Sequence, residues 1–172
     1  MKVDMKNGFN LVSRQSLLDQ CAQHFPLLFP WTVWCYGQHP FLWHPMGTLT
    51  SEAGVQQGDP LGPFYFSLIL HHLILTIAKD DKCKDLQVNT WYLDDGILAG
   101  PCTAVQRGVS LLQNLGPSLG LHLNPPKCEV FGQGDLSMFP SQMRKSNTPH
   151  LTILGAPIGD VAFCSSLIAS KR

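Results

Sequence analysis

Apolar residues at helical spacing predict the first helix of the chain. Leu17, Leu18 and Cys21 recur at the spacing of one helix face within an otherwise polar segment. Ser13, just before this segment, is a residue type that commonly caps a helix N-terminus. We therefore predict a helix from Ser13 to His24. The aromatic-rich stretch that follows is interrupted by prolines and has room for at most a short helix.

A second helix is predicted where the longest apolar run of the chain follows Asp59 and Pro60. A capping carboxylate followed by proline is typical of a helix start. Polar residues interrupt the run within residues 64–78, so a buried core helix explains it better than a membrane span. We interpret His71 and His72, inside this run, as packing residues. The residues predicted to share its core-facing side are Leu61, Phe64, Tyr65, Leu68, His72 and Leu75.

Short segments with strand character lie between and after these helices. Asp94, Asp95 and Gly96 are typical of a hairpin turn between two short strands. A third helix is predicted from Thr103 to Leu119. The predicted strands or hairpins cover residues 1–5, 41–50, 88–93, 97–99, 127–131 and 151–154. This order predicts an α+β fold, in which helices pack on one face of a mainly antiparallel sheet of about four strands.

The composition indicates a single domain with unusually few charges. The length of 172 residues suffices for one domain, which we assign to residues 1–160, with residues 161–172 as a C-terminal tail. Charged residues make up 14%, against about 25% in a typical soluble domain. We therefore expect this domain to pack against further protein. Twelve basic and twelve acidic residues cancel, so composition alone does not favour a nucleic-acid partner.

The six cysteines favour an intracellular protein with reduced thiols, either nuclear or cytoplasmic. They form neither a CxxC pair nor a dense disulfide framework, and no charged-then-apolar leader opens the sequence. Cys21, His24, Cys35 and His39 are residue types that bind zinc. Their setting, in an amphipathic helix and an aromatic segment, favours a buried structural use instead.

The neighbouring carboxylates of Asp94 and Asp95 are the sharpest chemical feature of the sequence. Such a pair is costly unless a positive charge lies nearby. Successive strand side chains point to opposite faces, so only one of the two can point squarely at a shared site. Two-metal nucleotidyl transfer needs acidic oxygens from different chain segments, and magnesium prefers oxygen ligands. A solvated turn is the alternative interpretation of these two residues.

Two further segments of the sequence contain residues that could act together with Asp94 and Asp95. Residues 54–63 (GVQQGDPLGP) place glycines ahead of a predicted helix, where backbone can approach a phosphate closely. A turn before a well-capped core helix would explain the same residues. Residues 2–10 (KVDMKNGFN) place Asp4 at a strand end and Phe9 five residues later. In isolation that arrangement means little.

Taken together, these segments resemble the motifs of the reverse transcriptase palm in order and approximate spacing. The likeness is closest to retroelement enzymes of the non-LTR kind, whose motifs read DxKNAFN, GVQQGDPLGP and YxDD. Residues 92–96 (YLDDG) match the third of these, and Gly8 stands where alanine is commoner. Residues 119–128 (LGLHLNPPKC) and 154–159 (LGAPIG) resemble the segments that follow it in the family.

The resemblance implies an RNA-directed DNA polymerase palm with a ferredoxin-like core and a carboxylate metal site. Asp4 and Asp94 would bind two magnesium ions, for which manganese can substitute, and Asp95 would support them. Lys127 would protonate the leaving pyrophosphate, although a solvated strand-end lysine explains it equally well. We interpret Arg14, on the helix after the first motif, as a surface or structural residue.

The same resemblance implies the substrates and the partners. Phe9 would lie against the sugar and exclude a ribose 2′-hydroxyl, while Gln57 and Gly58 would contact the incoming dNTP and the template. An RNA template and a DNA primer would be bound, with no membrane involved. The family's fingers and thumb are missing from these residues, so missing regions or a neighbouring chain would have to hold the duplex. We therefore expect little activity from this chain alone.

Two alternatives stay open from the sequence. The chain could be a catalytically inactive, retroelement-derived remnant that binds nucleic acid or protein, if anything. It could also be the palm of an RNA-dependent RNA polymerase. The YLDD sequence of residues 92–95, together with Phe9 at the sugar position, weighs against this second alternative.

Overall fold

The computed structural model describes residues 1–133, 135–148 and 150–170, in which helices alternate with short strands. The helices are α1 (Gly8–Leu11), α2 (Arg14–His24), α3 (Phe29–Tyr36), α4 (Gly62–Lys79), α5 (Cys102–Leu115) and α6 (Val161–Ala169). The strands are β1 (Lys2–Asp4), β2 (Phe41–His44), β3 (Gly47–Thr50), β4 (Val88–Tyr92), β5 (Asp95–Ala99), β6 (Glu129–Phe131), β7 (Arg144–Ser146), β8 (Leu151–Ile153) and β9 (Ala156–Ile158). Single 3₁₀ turns cover Gly116–Leu119 and Pro125–Lys127.

Strand β1 lies at the centre of the main sheet, whose described strands run in the order β4-β5-β1-β6-β7. All neighbours are antiparallel except β6 and β7, which are parallel. The predicted α+β class and mainly antiparallel sheet are confirmed. The predicted number of about four strands is one too low, because β7 consists of polar residues that show no apolar alternation.

The core lies between this sheet and helices α2, α4 and α5. Val3 of β1 and Leu98 of β5 are fully buried in it. Because strand side chains alternate, Lys2 and Asp4 project from the opposite face of the sheet. The helices contribute the buried residues Leu17, Cys21, Ile69, Leu73, Ile77, Val109 and Leu112. The packing of the core therefore leaves the carboxylate of Asp4 on the open face.

Helix α4 begins at Gly62, two residues later than predicted. Asp59 does cap the chain here, but it caps the turn ahead of the helix: its Oδ1 accepts the Leu61 N–H at 2.8 Å. Pro63, rather than Pro60, therefore occupies the first turn of the helix. The loop of residues 54–61 is correspondingly longer than the sequence indicates.

The buried face of α4 also differs from the predicted one. His71, His72 and Leu75 are exposed, so the interpretation of the two histidines as packing residues is wrong. This helix is apolar nearly all round, and its hydrophobic pattern therefore cannot select the face that meets the core. The residues that do face the core are Tyr65, Phe66, Leu68, Ile69, Leu70, Leu73 and Ile77.

The other predicted helices and the first hairpin form close to their predicted bounds. The Ser13 hydroxyl accepts the Ser16 N–H at 3.2 Å and caps α2, as predicted. The predicted helix from Thr103 to Leu119 is α5 followed by the 3₁₀ turn Gly116–Leu119, and Gly120 ends this turn in the left-handed region at φ 73°. The short α3 and the β2–β3 hairpin confirm the predictions for those segments.

Large apolar side chains stand exposed on α3 and on the β2–β3 hairpin. Trp34, Trp43 and Met46 are 73%, 87% and 91% exposed. This exposure accompanies the low charge content of the chain. No helix among residues 1–133, 135–148 and 150–170 is long and apolar enough to cross a membrane.

The C-terminal part adds a separate two-stranded hairpin, β8–β9, and then α6. Strand β8 confirms the strand predicted at residues 151–154, although it lies outside the main sheet. The segment that we assigned to a C-terminal tail contains α6, and its last residues, 171 and 172, lie outside the described part of the chain.

Candidate active site

The hairpin between β4 and β5 turns at residues 93–94. Tyr92 pairs with Asp95 across the ladder, so Asp95 and Gly96 belong to β5 and the turn predicted at residues 94–96 is misplaced. An Asp-Gly pair favours a turn locally, but here Gly96 leaves room for a side chain of the neighbouring strand. A Cβ on Gly96 would lie 2.4 Å from the Trp91 ring on the neighbouring strand.

The turn itself is strained at a non-glycine residue. Leu93 has φ 53°, in the left-handed region that a branched side chain rarely occupies. Its side chain packs against the core, which holds the residue in this conformation. Strain of this kind persists only where the surroundings enforce it, and it concentrates at functional sites. Here it fixes the position of Asp94, the next residue.

Strand β1 brings Asp4 against this hairpin. Asp4 and Asp95 are direct partners in the antiparallel ladder, so their side chains leave the sheet on the same face. Asp94 lies beside the start of α1, because a Cβ built on Gly8 would be 3.6 Å from the Asp94 Cβ. The fold thus gathers Asp4, Asp94 and Asp95 at one end of the central strands.

Crowding of like charges affects the innermost of these acids. The pKa of Asp95 is raised above its ordinary value, first by burial and then by the negative charges of Asp94 and Asp4, while Lys2 opposes the shift. Divalent cations relieve such repulsion, and carboxylates are the donors that magnesium prefers, so the donor chemistry fits. Within the described residues no group of three or more His, Cys, Asp and Glu side chains is arranged to hold a metal ion. Coordination by Asp4 and Asp94 therefore stays a prediction.

The loop of residues 54–61 is attached to α1 by backbone hydrogen bonds. The Gly54 N–H donates to the Val12 carbonyl at 2.8 Å, and the Val55 N–H donates to the Phe9 carbonyl at 2.8 Å. A side chain at Gly54 would meet backbone atoms of Phe9 and Asn10 at 2.6 Å, and its φ is 77°. Only glycine allows this approach. The second and first motif segments therefore form one unit.

Both predicted nucleotide contacts on this loop are exposed. The Gln57 amide lies 3.5 Å from the Asn10 side-chain oxygen, and Gly58 adopts φ 94° with open space around it. Phe9 is half-buried and stacks on Phe66, with ring centroids 4.8 Å apart and planes within 10°. The ring of Phe9 is thus held against the core by Phe66, and the next residue, Asn10, contacts Gln57.

Lys127 lies on the other flank of Asp4. It is exposed and ends the 3₁₀ turn of Pro125–Lys127, which packs against β1. The sequence predicted a strand from this residue, whereas β6 begins at Glu129. Lys127 therefore lies near Asp4, on a turn that leaves its side chain exposed.

Comparison with known proteins identifies the family of this arrangement. A model of the family described as reverse transcriptase (RNA-dependent DNA polymerase) matches residues 1–158. The chain belongs to the reverse transcriptase family. A search of curated protein sequences gives no significant match.

A solved structure of telomerase from Candida albicans, in complex with a TWJ fragment of telomeric RNA, is similar in fold to this reverse transcriptase domain. The TM-score is 0.63 over 95% of the chain, at 15% sequence identity. The chain spans 29% of the length of that protein. At this identity the likeness concerns the fold.

Arg14 supports the loop of the reverse transcriptase domain through partners that the sequence did not reveal. Its side chain is 5% exposed, and its guanidinium donates to the Gly54 carbonyl at 2.9 Å and to the Ser51 hydroxyl at 2.8 Å. A further bond goes to the Ser51 carbonyl. The structural interpretation of Arg14 is confirmed, and the surface one is wrong. A charged residue in a segment with few charges was the sequence signal that could have indicated this structural role.

Tyr36 holds the other end of the same loop. Its hydroxyl donates to the Asp59 carboxylate and accepts the Gln56 N–H at 3.2 Å. Burial, followed by the hydrogen bond to Asp59, raises the pKa of Tyr36 well above its ordinary value. The hydroxyl therefore stays protonated and able to donate. The Arg14 guanidinium lies 5.6 Å from the centre of the Tyr36 ring, so the two supports are in contact.

Cys21, one of the four residues with zinc-binding side chains, is part of a buried polar network. Its thiol lies 3.1 Å from the Thr32 hydroxyl, which in turn lies 2.9 Å from the Tyr65 hydroxyl. This network joins α2, α3 and α4. The structural use that we preferred for Cys21 is thereby confirmed.

Proposed function

We propose that this domain is the catalytic palm of an RNA-directed DNA polymerase that transfers nucleotidyl groups by a two-metal mechanism. The primer 3′-oxygen would attack the α-phosphorus of a dNTP while the bond to the β-phosphate breaks. The hydroxyl proton would leave, and the departing pyrophosphate would gain one. The observation that carries this proposal is the ladder pairing of Asp4 with Asp95, next to Asp94 in the turn. Family membership over residues 1–158 supports it.

Asp4 and Asp94 would hold the two magnesium ions, or manganese in their place, and Asp95 would support them. When bound, the ions would increase the acidity of the attacking hydroxyl and stabilise the charge on the leaving group. Asp4 and Asp94 come from separate segments, one rigidly paired in the sheet and the other in an enforced turn. That separation would let carboxylate oxygens approach a shared cation from two directions.

The residues around the carboxylates would position the nucleotide. The stacked ring of Phe9 would contact the deoxyribose, and the exposed loop at Gln57 and Gly58 would contact the base pair being formed. Lys127 would deliver the proton to pyrophosphate. The partner of the telomerase structure is an RNA, and an RNA template is the corresponding partner that we propose for this domain.

The proposal is tested by primer extension on an RNA template with magnesium or manganese. We expect the 172-residue chain alone to show only background extension, because its net charge is zero and phosphate contacts from basic residues supply most duplex affinity. Joined to the fingers and thumb of a related enzyme, the same domain is expected to extend the primer. A folded chimera with intact duplex binding and no extension would favour the inactive remnant instead.

Phe9→Ala in that chimera is expected to raise incorporation of ribonucleotides relative to deoxyribonucleotides. Removing the ring opens space for a 2′-hydroxyl, and discrimination of this type is worth on the order of 10²-fold at most. The ratio is measured with single rNTP and dNTP additions to one primer. Phe163→Ala, a change on α6, serves as the control and should leave the ratio unchanged. An unaltered ratio in active Phe9→Ala protein would contradict the sugar contact.

A further inference from the structure

We propose that Asn124 is a positioning residue for Asp4: its amide holds one carboxylate oxygen so that the other faces a divalent metal. This inference deepens the proposed function and rests on it. The Asn124 Nδ2 donates to Asp4 Oδ1 at 2.8 Å across 120 residues of sequence. From the described part of the chain, no hydrogen bond reaches Asp4 Oδ2.

The need for such a residue follows from where the sheet ends. Strands β1 and β6 are paired only at Lys2 and Glu129, so the regular ladder on that side does not extend to Asp4. The segment of residues 124–128 takes its place. The Asn124 N–H donates to the Asp4 carbonyl at 2.9 Å, and the Asp4 N–H donates to the Cys128 thiol at 3.4 Å. Asp4 is therefore fixed by its backbone independently of its side chain.

Asn124 is itself fixed by its own turn. Its carbonyl accepts the N–H groups of Lys127 and Cys128 at 2.9 and 3.1 Å. The Asn124 side chain is consequently anchored at the backbone, and among the described residues it hydrogen-bonds only to the Asp4 carboxylate. Loss of the amide would leave all of these backbone bonds in place, so a change at Asn124 can be separated from a change in fold.

The chemistry of an amide suits this task. A lysine or arginine at the same place would neutralise Asp4 and compete with a cation for it. An amide donates a hydrogen bond without adding charge, so the carboxylate keeps its full negative charge while losing rotational freedom. Partners of this kind, which orient a metal ligand without touching the metal, typically contribute 10- to 100-fold to metal affinity.

The test is a titration of the 172-residue protein with Mn²⁺, in which the electron paramagnetic resonance signal of free Mn²⁺ measures how much of the metal is bound. Asn124→Ala is expected to weaken binding about 10- to 100-fold, with the midpoint of metal-free thermal unfolding little changed. Asn114→Ala removes the same group from an exposed position on α5 and should bind as the unmodified protein does. Equal affinity of Asn124→Ala and Asn114→Ala would overturn the inference while leaving the carboxylate site intact.

Failure of the proposed metal site itself would give a different result. If the unmodified protein binds no Mn²⁺, or binds it equally with Asp4→Asn, the metal site and this inference both fall. If the Asn124→Ala protein does not fold, a second measurement on the unmodified protein tests the inference. In the unmodified protein, Mn²⁺ should broaden the side-chain amide signals of Asn124 in nuclear magnetic resonance spectra and leave those of Asn114 sharp. Equal effects on both amides would overturn the inference.

Discussion

Asp94→Asn is expected to reduce primer extension by the chimeric polymerase about 10³-fold, which corresponds to about 4 kcal/mol of transition-state stabilisation. The substitution keeps the shape of the side chain and removes the charge that would hold a metal ion. It also removes one of the charges that raise the pKa of Asp95, so repulsion at the hairpin decreases. The variant should therefore fold at least as well as the unmodified domain. Single-turnover extension rates at saturating dNTP measure the effect.

The matched control for this prediction is Asp81→Asn, an exposed acid in the loop after α4. It changes the net charge by the same amount and should leave the extension rate unchanged. A rate for Asp94→Asn within a factor of a few of Asp81→Asn would contradict the metal-ligand role of Asp94. A loss for Asp95→Asn as large as that for Asp94→Asn would mean that the two acids share the role equally.

Arg14→Ala is expected to lower the free energy of unfolding by about 3–5 kcal/mol, since hydrogen bonds to a charged group contribute about 1.5–3 kcal/mol each. The change removes the bonds to Ser51 and Gly54 and leaves the buried Gly54 carbonyl and the partly buried Ser51 carbonyl without these donors. Domains of this size have a total stability of about 5–15 kcal/mol. Urea unfolding should therefore show a midpoint lower by about 2 M, for a slope of about 2 kcal/mol per M.

The comparison variant is Arg107→Ala. Arg107 forms a bidentate ion pair with Asp80, with a shortest N–O distance of 2.7 Å. By distance and charge alone, this pair would be expected to stabilise the fold more than the bonds of Arg14 do. Both side chains are partly exposed, so water screens the pair, and the unfolding midpoint should move less than for Arg14→Ala. Arg14→Lys should recover only part of the loss, because an ammonium group cannot reach both Ser51 and Gly54 in the geometry of a guanidinium. Equal midpoints for Arg14→Ala and Arg107→Ala would contradict the support of the loop by Arg14.

Local sequence signals predicted the elements well and their junctions less well. Ser13 caps α2 as its residue type indicates, and the hairpin of β2 and β3 lies within the predicted range. The turn between β4 and β5 was misplaced because the Asp-Gly preference is local, whereas the packing of Trp91 on Gly96 is a contact between strands. The face of α4 was misjudged because the apolar residues surround that helix. Tertiary packing decided both cases.

In the candidate site, too, local sequence signals predicted some features, whereas others depended on tertiary contacts. The proximity of Asp4, Asp94 and Asp95 could be predicted from residue type and motif order, whereas their binding of metal stays a prediction. Their supports could not, because Arg14, Tyr36 and Asn124 act on residues between 20 and 120 positions away. No local pattern marks such partners. Low charge made Arg14 conspicuous, but only the fold identifies Ser51 and Gly54 as what it binds.

The long sequence separation between Asp4 and its supports has a consequence for synthesis of the protein. A ribosome that adds about 5–20 residues per second needs roughly 6–24 s between Asp4 and Asn124. Strand β1 precedes the other strands of the main sheet in the sequence, so both of its edges stay unpaired until β5 and then β6 follow. Until these strands are made, the nascent chain exposes β1 to pairing with other chains. The proposed metal site would be completed only as the last strands of the sheet leave the ribosome.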